Sequence, residues 1–375
     1  MISLLEAWEK KRELLSMLKE KLSQSEFEES KKDPHSLRPP RPCGLTVHTG
    51  FGCAFCCVYC YIYDMGFTSK PRPYPLSGLQ ISYAISSNPS VAVGVGGTPL
   101  AFGAITEPFM DESRKKTLEY ISTISSYLGN PIQFSTKTFI ERDLASEIRK
   151  SAEKVSALVT IVTTSLYKLL EPKAPSPDER FMSIENLSRA GVHTVLFLRP
   201  ILPGMKIDEV EEIVSRSLDA GARGIVVGSM RVTEKMIRRL KCINYPYMDD
   251  LLKRIPGMVR GDKQVTLRMN DLKKMVYDEA WKLGARIYPS ACAANMDAHG
   301  ISCNACDMGP CGDPDNLPGF ELDEVRALGK YYEIRVEKVI PGDALKIKAS
   351  GDKMRIKQFV EFAKWVTKRK VLAKS

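Results

Sequence analysis

Short apolar runs alternate with amphipathic helical stretches between residues 45 and 242, and this alternation narrows the choice of folds more than any other feature. The runs predict strands near residues 45–49, 100–105, 132–135, 158–164, 194–198 and 224–228. Helical patterns fall between them, at about 111–128, 141–151, 178–190, 207–220 and 233–241. Strands separated by helices are typical of parallel sheets, whose ligands collect beyond the carboxyl ends of the strands. The pattern predicts an α/β fold of six βα units with its site at that edge.

A cysteine-rich loop follows the first predicted strand. Four cysteines lie within residues 53–60, with glycines before them and aromatic residues between them. Thiolates select iron–sulfur clusters, zinc or Cu(I). A zinc ribbon needs two C-x2-C pairs separated by a folded insert, whereas Cys56 and Cys57 are adjacent. Cys53, Cys57 and Cys60 form C-x3-C-x2-C, a spacing that can hold three irons of a [4Fe–4S] cube and leave the fourth iron open to a ligand.

This loop resembles the motif of the radical S-adenosylmethionine (radical SAM) superfamily, in which an aromatic residue precedes the last cysteine as Tyr59 does here. The resemblance implies a partial (β/α)6 barrel and places Tyr59 beside the adenine of the cofactor. It implies that the open iron binds S-adenosylmethionine, and that one electron from the cluster cleaves this cofactor to methionine and a 5'-deoxyadenosyl radical. It also implies an electron donor such as ferredoxin or flavodoxin.

The segments after the predicted strands resemble those of one branch of the superfamily, that of spore photoproduct lyase. They are Thr106-Glu107-Pro108, Thr136-Lys137, Glu171-Pro172 with Pro175-Ser176-Pro177 and Arg180, and Arg199-Pro200-Ile201-Leu202-Pro203-Gly204. The branch has Asp in place of Glu107 and one residue more before the first proline of the last segment. The resemblance implies that Lys137 binds the methionine carboxylate and that the cofactor site is lined by Thr106, Glu107, Ser165 and Arg199. From the residues alone, a strand-end lysine and turn-forming hydroxyls remain the alternative.

A second group of four cysteines lies in a polar, glycine-rich segment, residues 290–313, that is predicted to be a loop. Its members, in a C-x10-C-x2-C-x4-C pattern, are Cys292, Cys303, Cys306 and Cys311. This ligand set suits either an auxiliary [4Fe–4S] cluster or a structural zinc ion, with His299 as a substitute ligand. Spore photoproduct lyases are not expected to carry such a cluster, so this departure puts a DNA-repair activity in doubt.

The sequence predicts four segments. Residues 1–42 comprise an amphipathic helix, at about 4–22, and an extended proline-rich linker that a helix cannot include. Residues 43–242 form the barrel, and residues 243–320 a basic, cysteine-rich extension. Residues 321–375 are predicted to form a small ββα appendage, with a hairpin over 331–349 and a helix over 352–370.

Composition bears on the partner and the compartment. The formal net charge of +10 and the pI near 9.0 indicate either a polyanionic partner or a solvated basic surface. The most basic stretch, residues 231–274, contains Tyr245 and Tyr247 and is predicted at the mouth of the barrel, where a nucleic-acid backbone could dock. No apolar run reaches the length of a membrane span, and the start lacks a signal-peptide pattern, which predicts a cytoplasmic protein.

Together these features predict a radical SAM enzyme whose radical acts on a nucleic acid, in a repair or modification like that of spore photoproduct lyase. The resembling lyase uses a cysteine as hydrogen donor, and the candidates here are Cys56, Cys43 and Cys242, with Cys56 as the predicted catalytic residue. Two alternatives stay open. One is radical SAM modification of a protein, peptide or small metabolite with the auxiliary cluster, and the other is a non-catalytic, metal-stabilised nucleic-acid-binding protein.

Overall fold

A computed structural model describes residues 3–41, 44–342 and 344–374 of the 375-residue chain. The helices are α1 Leu4–Glu20, α2 Gln24–Lys32, α3 Pro34–Leu37, α4 Gly78–Ser87, α5 Asp111–Tyr127, α6 Arg142–Ser151, α7 Tyr167–Leu170, α8 Pro177–Arg189, α9 Ile207–Asp219, α10 Glu234–Cys242, α11 Met248–Lys253, α12 Asn270–Lys282, α13 Ala291–His299, α14 Leu322–Tyr331 and α15 Lys353–Thr367. The strands are β1 Leu45–Val47, β2 Gly50–Phe51, β3 Arg72–Pro73, β4 Leu100–Phe102, β5 Ile132–Thr136, β6 Ser156–Thr160, β7 His193–Leu198, β8 Ile225–Val227, β9 Arg231–Val232, β10 Val265–Thr266, β11 Ile287–Tyr288, β12 Arg335–Ile340, β13 Ala344–Ser350 and β14 Lys370–Lys374. Within these described ranges, no helix has the length and apolar character that crossing a membrane requires.

Seven parallel strands form the main sheet, in the order β1-β4-β5-β6-β7-β8-β11. Six of them coincide with the predicted runs, and the predicted helices between those runs are present. The seventh strand is a correction to the expected six, because β11 pairs with β8 through Ile287 opposite Ile225 and Tyr288 opposite Val226. A strand of two residues is too short to show an alternating pattern. The α/β architecture is therefore confirmed, with one more strand than the pattern predicts.

The sheet is covered on both faces. Successive residues of a strand point to opposite faces, so Ala157 and Val159 of β6 belong to the large core beneath the helices. Leu158, between them, packs on the other face with Ala293 and Ala294 of α13. Helix α13 thus fills the inner face of the curved sheet, where the sequence analysis expected only a polar loop.

The correction at α13 has a local cause. The hydroxyl of Ser290 accepts a hydrogen bond from the backbone N–H of Ala293 and caps the first turn, and Gly300, with φ 66°, ends the helix in the left-handed conformation. Between these caps the sequence is mostly alanine with small polar residues, and Asn295 and Met296 are buried. The neighbouring strands decide which residues of α13 are buried, so the polarity of the segment does not predict that the helix packs on the inner face of the sheet.

The predicted N-terminal helix is confirmed as α1, and it joins two cores. A capping box of Ser3 and Glu6 starts the helix. Leu14 and Leu18 pack in the main core, whereas Leu4 joins the separate core of the C-terminal residues. Helix α1 therefore connects the sheet domain to the C-terminal part of the chain.

One residue of α1 departs from the predicted stripe. Lys11, expected on the charged outer face, is only 2 % exposed, and its Nζ donates to the carbonyl oxygens of Asn88 at 2.6 Å and Val91 at 2.7 Å. The ammonium also lies 5.5 Å from the centroid of the Trp8 ring. A long lysine side chain can bury its stem when its head reaches acceptors of this kind.

The linker prediction is wrong at its start. Residues Pro34–Leu37 form the short helix α3, although the sequence was expected to exclude helices there. Asp33 caps this helix through a hydrogen bond from the N–H of His35, and Pro34 occupies the first helical position. Proline is tolerated there because the N–H that it lacks would have no partner in the helix anyway.

The C-terminal residues form a larger unit than the predicted ββα appendage, and we call residues 322–374 the C-terminal unit. The hairpin of β12 and β13 and helix α15 are present as expected, and α14 precedes them. Strand β14 is the addition at the end of the chain, and it pairs in parallel with β13. It begins just after Lys368, which ends α15 in the left-handed conformation with φ 54°. Lysine rarely adopts this conformation, so the sequence does not predict a helix end here.

A pair of histidines, the buried His35 and the half-buried His48, connects α3 to the end of β1. The N–H of His48 donates to Nε2 of His35 at 3.1 Å, and Nδ1 of His35 lies 2.6 Å from Asp33 Oδ1. Nε2 of His48 lies 2.9 Å from Nη1 of Arg38, and a guanidinium can only donate. His48 is therefore held neutral, and burial, with His35 and Arg38 beside it, lowers the pKa of His48 to about 3.

This pKa predicts that acid weakens the fold through His48. Below pH 6.5, the ordinary pKa of histidine, the unfolded chain binds a proton that the folded chain refuses, so the free energy of unfolding falls as the pH decreases. We expect the native protein to lose about 1 kcal/mol more than a His48→Gln variant between pH 7.5 and 5.5. Urea unfolding of both apo-proteins at the two pH values measures the difference, and equal losses would contradict the assignment.

Candidate active site

The cysteine loop leaves the sheet between two short paired strands. After β1 the chain forms β2, which pairs with β3 and closes residues 52–71 into a loop. At its base, the N–H of Gly52 donates to the carbonyl of Ile105 at 3.1 Å, which joins the loop to the segment after β4. A Cβ atom at Gly52 would lie 2.6 Å from the carbonyl oxygen of Thr68, and its φ is +80°. Only glycine fits this position, because both the space and the backbone conformation exclude a side chain.

The structure brings the three cysteines of the C-x3-C-x2-C pattern together. Cys53, Cys57 and Cys60 are free thiols. Burial raises their pKa values, that of Cys53 to about 12, and the neighbouring thiols add to the rise for Cys53 and Cys57. The N–H of Phe55 donates to the sulfur of Cys53, and that of Ile62 to Cys60. Such N–H to sulfur bonds stabilise thiolates, and a bound metal would expel the protons.

Helix α10 holds the far side of the loop. Nε of Arg239 donates to the carbonyl of Val58 at 3.0 Å, and Nη2 donates to that of Cys60 at 2.9 Å. The same guanidinium pairs with Asp64 at 2.5 Å, and Asp64 also accepts from the hydroxyl of Thr233. Arg239 therefore fixes the backbone that carries the last cysteine, although the sequence analysis counted it among candidates for a nucleic-acid surface.

A buried charge cluster lies beside the thiols, around the carboxylate of Glu171. Arg180 contacts this carboxylate at 2.6 Å, and both side chains are fully buried. Tyr59 donates its hydroxyl to the same carboxylate, and Lys137 Nζ lies 3.8 Å from it. The Lys137 ammonium is also 5.7 Å from the centroid of the Tyr59 ring. One carboxylate thus positions two cations and a phenol.

Lys137 remains charged in this setting. Burial lowers the pKa of Lys137, but Cys57 and the carboxylate of Glu171 more than offset this effect and leave the pKa above its ordinary value. Its side chain is 17 % exposed, so the ammonium is accessible from the mouth. In the sequence, Glu171 and Arg180 stand out as members of a segment shared with the resembling branch, but neither has a predicted role. Only the fold shows that these two residues form an ion pair.

Thr106 and Glu107 lie at the same edge of the sheet, after β4. Both oxygens of Glu107 are engaged, one by the hydroxyl of Thr136 and the other by the N–H of Lys137 at 3.0 Å. Burial raises the pKa of Glu107, against these hydrogen bonds. The hydroxyl of Thr106 is buried and has no hydrogen-bond partner. The segment therefore offers one unsatisfied hydroxyl and one carboxylate that organises its neighbours.

Ser165 and Arg199, the other two residues predicted to line the cofactor site, lie at its exposed rim. Ser165 is exposed, and its hydroxyl donates to Glu209 at 2.9 Å, while its N–H bonds the same oxygen at 3.0 Å. Glu209 also accepts from the hydroxyl of Thr163, so it organises the turn after β6. Arg199 is exposed after β7, with its guanidinium 5.8 Å from the centroid of the Phe197 ring. Both residues lie at the carboxyl edge of the sheet, at its rim.

Two cavities flank the cysteine loop. The first, of about 420 Å³, lies at the mouth and is lined by aromatic and charged residues that include Phe55, Phe109, Phe139 and Arg114. The second, of about 540 Å³, separates the loop from α10, and Cys56 and Cys242 both line it. Cys56 thus faces α10 with a φ of 54°. Cys43, the third hydrogen-donor candidate, lies outside the described residues.

The second group of cysteines lies elsewhere. Cys292 is on α13, and Cys303, Cys306 and Cys311 follow in the loop after it, near the amino ends of the strands. His299 is buried, and its Nδ1 lies 2.8 Å from the carbonyl oxygen of Asn295. In the part of the chain that the structure describes, no three His, Cys, Asp or Glu side chains are arranged around a single-ion position.

Many charges of the basic stretch are already paired. The ion pairs are Lys235 with Asp262, Arg238 with Glu234, Arg254 with Asp250 and Asp271, and Lys274 with Asp278. Tyr245 is buried, and its hydroxyl donates to the carbonyl of Pro203. With Arg239, five of the twelve basic side chains in the described residues 231–274 are therefore paired within the fold.

Comparison with known proteins agrees with the geometry of the loop. Residues 47–216 match the family model of the radical SAM superfamily. The chain contains a radical SAM domain. The match covers the cysteine loop and the strands through β7, and it identifies an enzyme of the radical SAM type. The family implies a [4Fe–4S] cluster and S-adenosylmethionine as cofactors.

Solved structures similar to the radical SAM domain include spore photoproduct lyases. A cysteine-to-serine variant aligns with a TM-score of 0.53 at 18% identity, over 65% of this chain and 74% of that chain. A cysteine-to-alanine variant with a dinucleoside spore photoproduct aligns with a TM-score of 0.51 at 18% identity, over 62% of this chain and 71% of that chain. At this identity the likeness shows a shared fold. A search of curated protein sequences gave no match.

The residues of the radical SAM domain fit the implied cofactors. Three free thiols converge on one loop, two of them with N–H donors to sulfur. Beside them are the ammonium of Lys137 and the buried hydroxyl of Thr106 that has no partner. The cluster and S-adenosylmethionine together would supply a carbon-centred radical. The protein would supply a cation for the cofactor carboxylate and walls that exclude water.

Removing the charge of Glu171 should destabilise the radical SAM domain. In a Glu171→Gln variant Arg180 keeps a buried charge without its carboxylate, and we expect a loss of about 3 to 5 kcal/mol in the free energy of unfolding. The matched control is Asp178→Asn, because the Asp178 carboxylate is 76% exposed in its pair with Arg216, and an exposed pair contributes roughly 0 to 1 kcal/mol. Urea unfolding of the apo-proteins compares the two, and similar losses in both variants would refute the prediction.

Proposed function

We propose that this protein cleaves S-adenosylmethionine reductively at a [4Fe–4S] cluster held by Cys53, Cys57 and Cys60, and directs the 5'-deoxyadenosyl radical to a nucleic-acid substrate. The observation that carries the proposal is the convergence of the three thiols and the Lys137 ammonium at the carboxyl edge of the sheet. In parallel βα folds that edge is where ligands bind.

Three residues share the work of holding the cofactor in this proposal. Lys137 binds the methionine carboxylate, since Glu171 and the ring of Tyr59 hold its ammonium at the mouth. Thr106 donates its unpartnered hydroxyl to the cofactor. Glu107 acts by positioning Lys137, because its carboxylate binds the N–H of that residue. Ser165 and Arg199 contribute at the rim, and Tyr59 lies beside the adenine.

The nucleic-acid part of the proposal has two supports. One neighbour in fold is a spore photoproduct lyase with a bound dinucleoside spore photoproduct. The mouth cavity beside the cysteine loop presents Phe55 and Phe139, and aromatic side chains are what unpaired bases stack on, while Arg114 shares the lining with Asp111, Glu112 and Glu141. Cys56 lines the other cavity, beside α10, so under this proposal it donates hydrogen to a substrate radical that reaches that cavity.

A second candidate function is favoured by a specific observation. The paired state of Lys235, Arg238 and Arg254 leaves less free positive charge for phosphates than the composition implies. A protein, peptide or small metabolite would then be the substrate of the same radical chemistry. In both versions the electron donor is a protein such as ferredoxin or flavodoxin. The free thiols of Cys53, Cys57 and Cys60 suit a reducing compartment such as the cytoplasm.

The cofactor assignment predicts a selective defect in a Lys137→Met variant. After anaerobic reconstitution, we expect the variant to keep its mouth cluster but to show a KM for S-adenosylmethionine about 10- to 100-fold higher, because a charge-assisted hydrogen bond is lost. The measurement is 5'-deoxyadenosine formation with dithionite as reductant. Lys168→Met is the matched control, since Lys168 also lies over a tyrosine ring, that of Tyr167. An unchanged KM in the Lys137 variant would overturn the assignment.

The substrate class is tested by binding to a fluorescent single-stranded oligonucleotide. We expect retention that weakens between 50 and 200 mM salt, by about tenfold or more if a few phosphates are contacted. An Arg114→Gln variant should bind more weakly than the native protein. Absence of salt-dependent binding, with cofactor cleavage intact, would exclude the nucleic-acid substrate and favour a peptide or metabolite.

A further inference from the structure

The second cysteine group lies at the edge of the sheet opposite the radical SAM site. The side chain of Asn295 in α13 donates to the carbonyl of Pro131, directly before β5. Asp297 pairs at 3.1 Å with His193, the first residue of β7. These contacts are at the amino ends of strands, whereas Lys137 follows the carboxyl end of β5. We call this amino edge, which α13 covers, the closed end of the barrel.

The four thiols of this group converge at the closed end. Cys303 and Cys311 face each other in a two-residue bridge, each N–H donating to the other's carbonyl at 2.8 Å. Burial raises the pKa of Cys311 to about 12, and the thiols of Cys292, Cys303 and Cys306 add to the rise. The sulfur of Cys303 accepts from the N–H of Ala305, the same type of bond that Cys53 and Cys60 make at the mouth. Four thiols from a helix and a turn thus lie near one another, although no three of them surround a single-ion position.

A buried lysine faces these thiols. Lys368 is 0% exposed, and its Nζ donates to the carbonyl of Gly97, before β4, at 3.1 Å. The ammonium lies 5.3 Å from the centroid of the Trp365 ring. Burial lowers the pKa of Lys368 to about 8, and the thiols of Cys303 and Cys292 act in the opposite direction. A buried cation needs a negative partner, and four thiolates around a [4Fe–4S] core carry a net charge of about −2.

The cysteine turn also binds the end of the C-terminal unit. The N–H of Asn304 donates to the carbonyl of Lys368 at 2.7 Å, and the N–H of Lys370 donates back to Asn304 at 2.9 Å. The ammonium of Lys370 pairs with Asp307 in the same turn. The turn therefore lies between α13, which belongs to the barrel, and β14, which belongs to the C-terminal unit.

We propose that Cys292, Cys303, Cys306 and Cys311 hold a thiolate-bound metal centre that fastens the C-terminal unit to the closed end of the barrel, with Lys368 as its buried counter-charge. A [4Fe–4S] cluster is the centre that this set suits, since no three of the described His, Cys, Asp or Glu side chains surround a single-ion position. The position separates the centre from the substrate, because the mouth is at the other edge of the sheet. The role is thus attachment of the C-terminal unit, which differs from the substrate anchoring expected of an auxiliary cluster near the radical.

A Cys303→Ser, Cys306→Ser double variant tests the centre in the full-length protein. We expect anaerobically purified native protein to contain about four irons and about four acid-labile sulfides more than the variant, and zinc in their place would contradict the cluster. Trypsin should release the C-terminal unit from the variant at least tenfold faster, while cofactor cleavage at the mouth continues. Equal metal content, or equal proteolysis despite lost metal, would overturn the proposal. Loss of cofactor cleavage in a native protein that retains the second centre would instead refute the mouth assignment.

The counter-charge is tested with two lysines that share one ring. Lys364 and Lys368 both lie over Trp365, at 4.8 and 5.3 Å from its centroid, but Lys368 is the one whose carbonyl accepts from the N–H of Asn304, next to Cys303. We expect Lys368→Met to lose the second centre to a chelator about tenfold faster than native protein and Lys364→Met to lose it at the native rate. Equal retention in both variants would remove Lys368 from the centre, and equal loss in both would assign the effect to packing around Trp365.

Discussion

The carboxylate of Glu171 is the group on which the arrangement of the mouth depends. It is fully buried, and it binds Arg180 from α8, Lys137 from the end of β5 and Tyr59 from the cysteine loop. A buried carboxylate is stable only when its charge is compensated, so these groups must stay together for the barrel to fold. Folding of the barrel therefore also places a cation beside the three thiols. The cofactor site is pre-organised by an ion pair that need not touch the cofactor.

The parallel sheet places the two cysteine groups at opposite edges. Its carboxyl edge is open and carries Lys137 and the loop of Cys53, whereas α13 covers its amino edge. A group at the carboxyl edge can reach a substrate, but a group behind α13 cannot. The direction of the strands, which every βα unit repeats, thus separates the two cysteine groups within one chain.

Much of the barrel could be predicted from sequence, because six strands and the helices between them alternate with a clear period. The seventh strand, with Ile287 and Tyr288, could not, since two residues carry no period. Helix α3 was missed because proline usually argues against a helix, whereas Pro34 occupies the first helical position, where proline is tolerated. At the site, the spacing of the cysteines predicted the thiol loop of Cys53. The contact of Lys137 with Glu171 is long-range and depends on how β5 and α8 pack, so local sequence does not predict it.

The net charge of the chain also has a meaning that composition alone does not reveal. The net charge of +10 indicates an anionic partner only if the cations are free at the surface. Here Arg239 binds the backbone of the cysteine loop, Lys11 binds two carbonyls below α1, and Lys368 binds the carbonyl of Gly97 at the closed end. Each of these cations satisfies a backbone acceptor inside the fold. A basic sequence can therefore reflect the internal hydrogen bonding of the chain as much as the charge of its substrate.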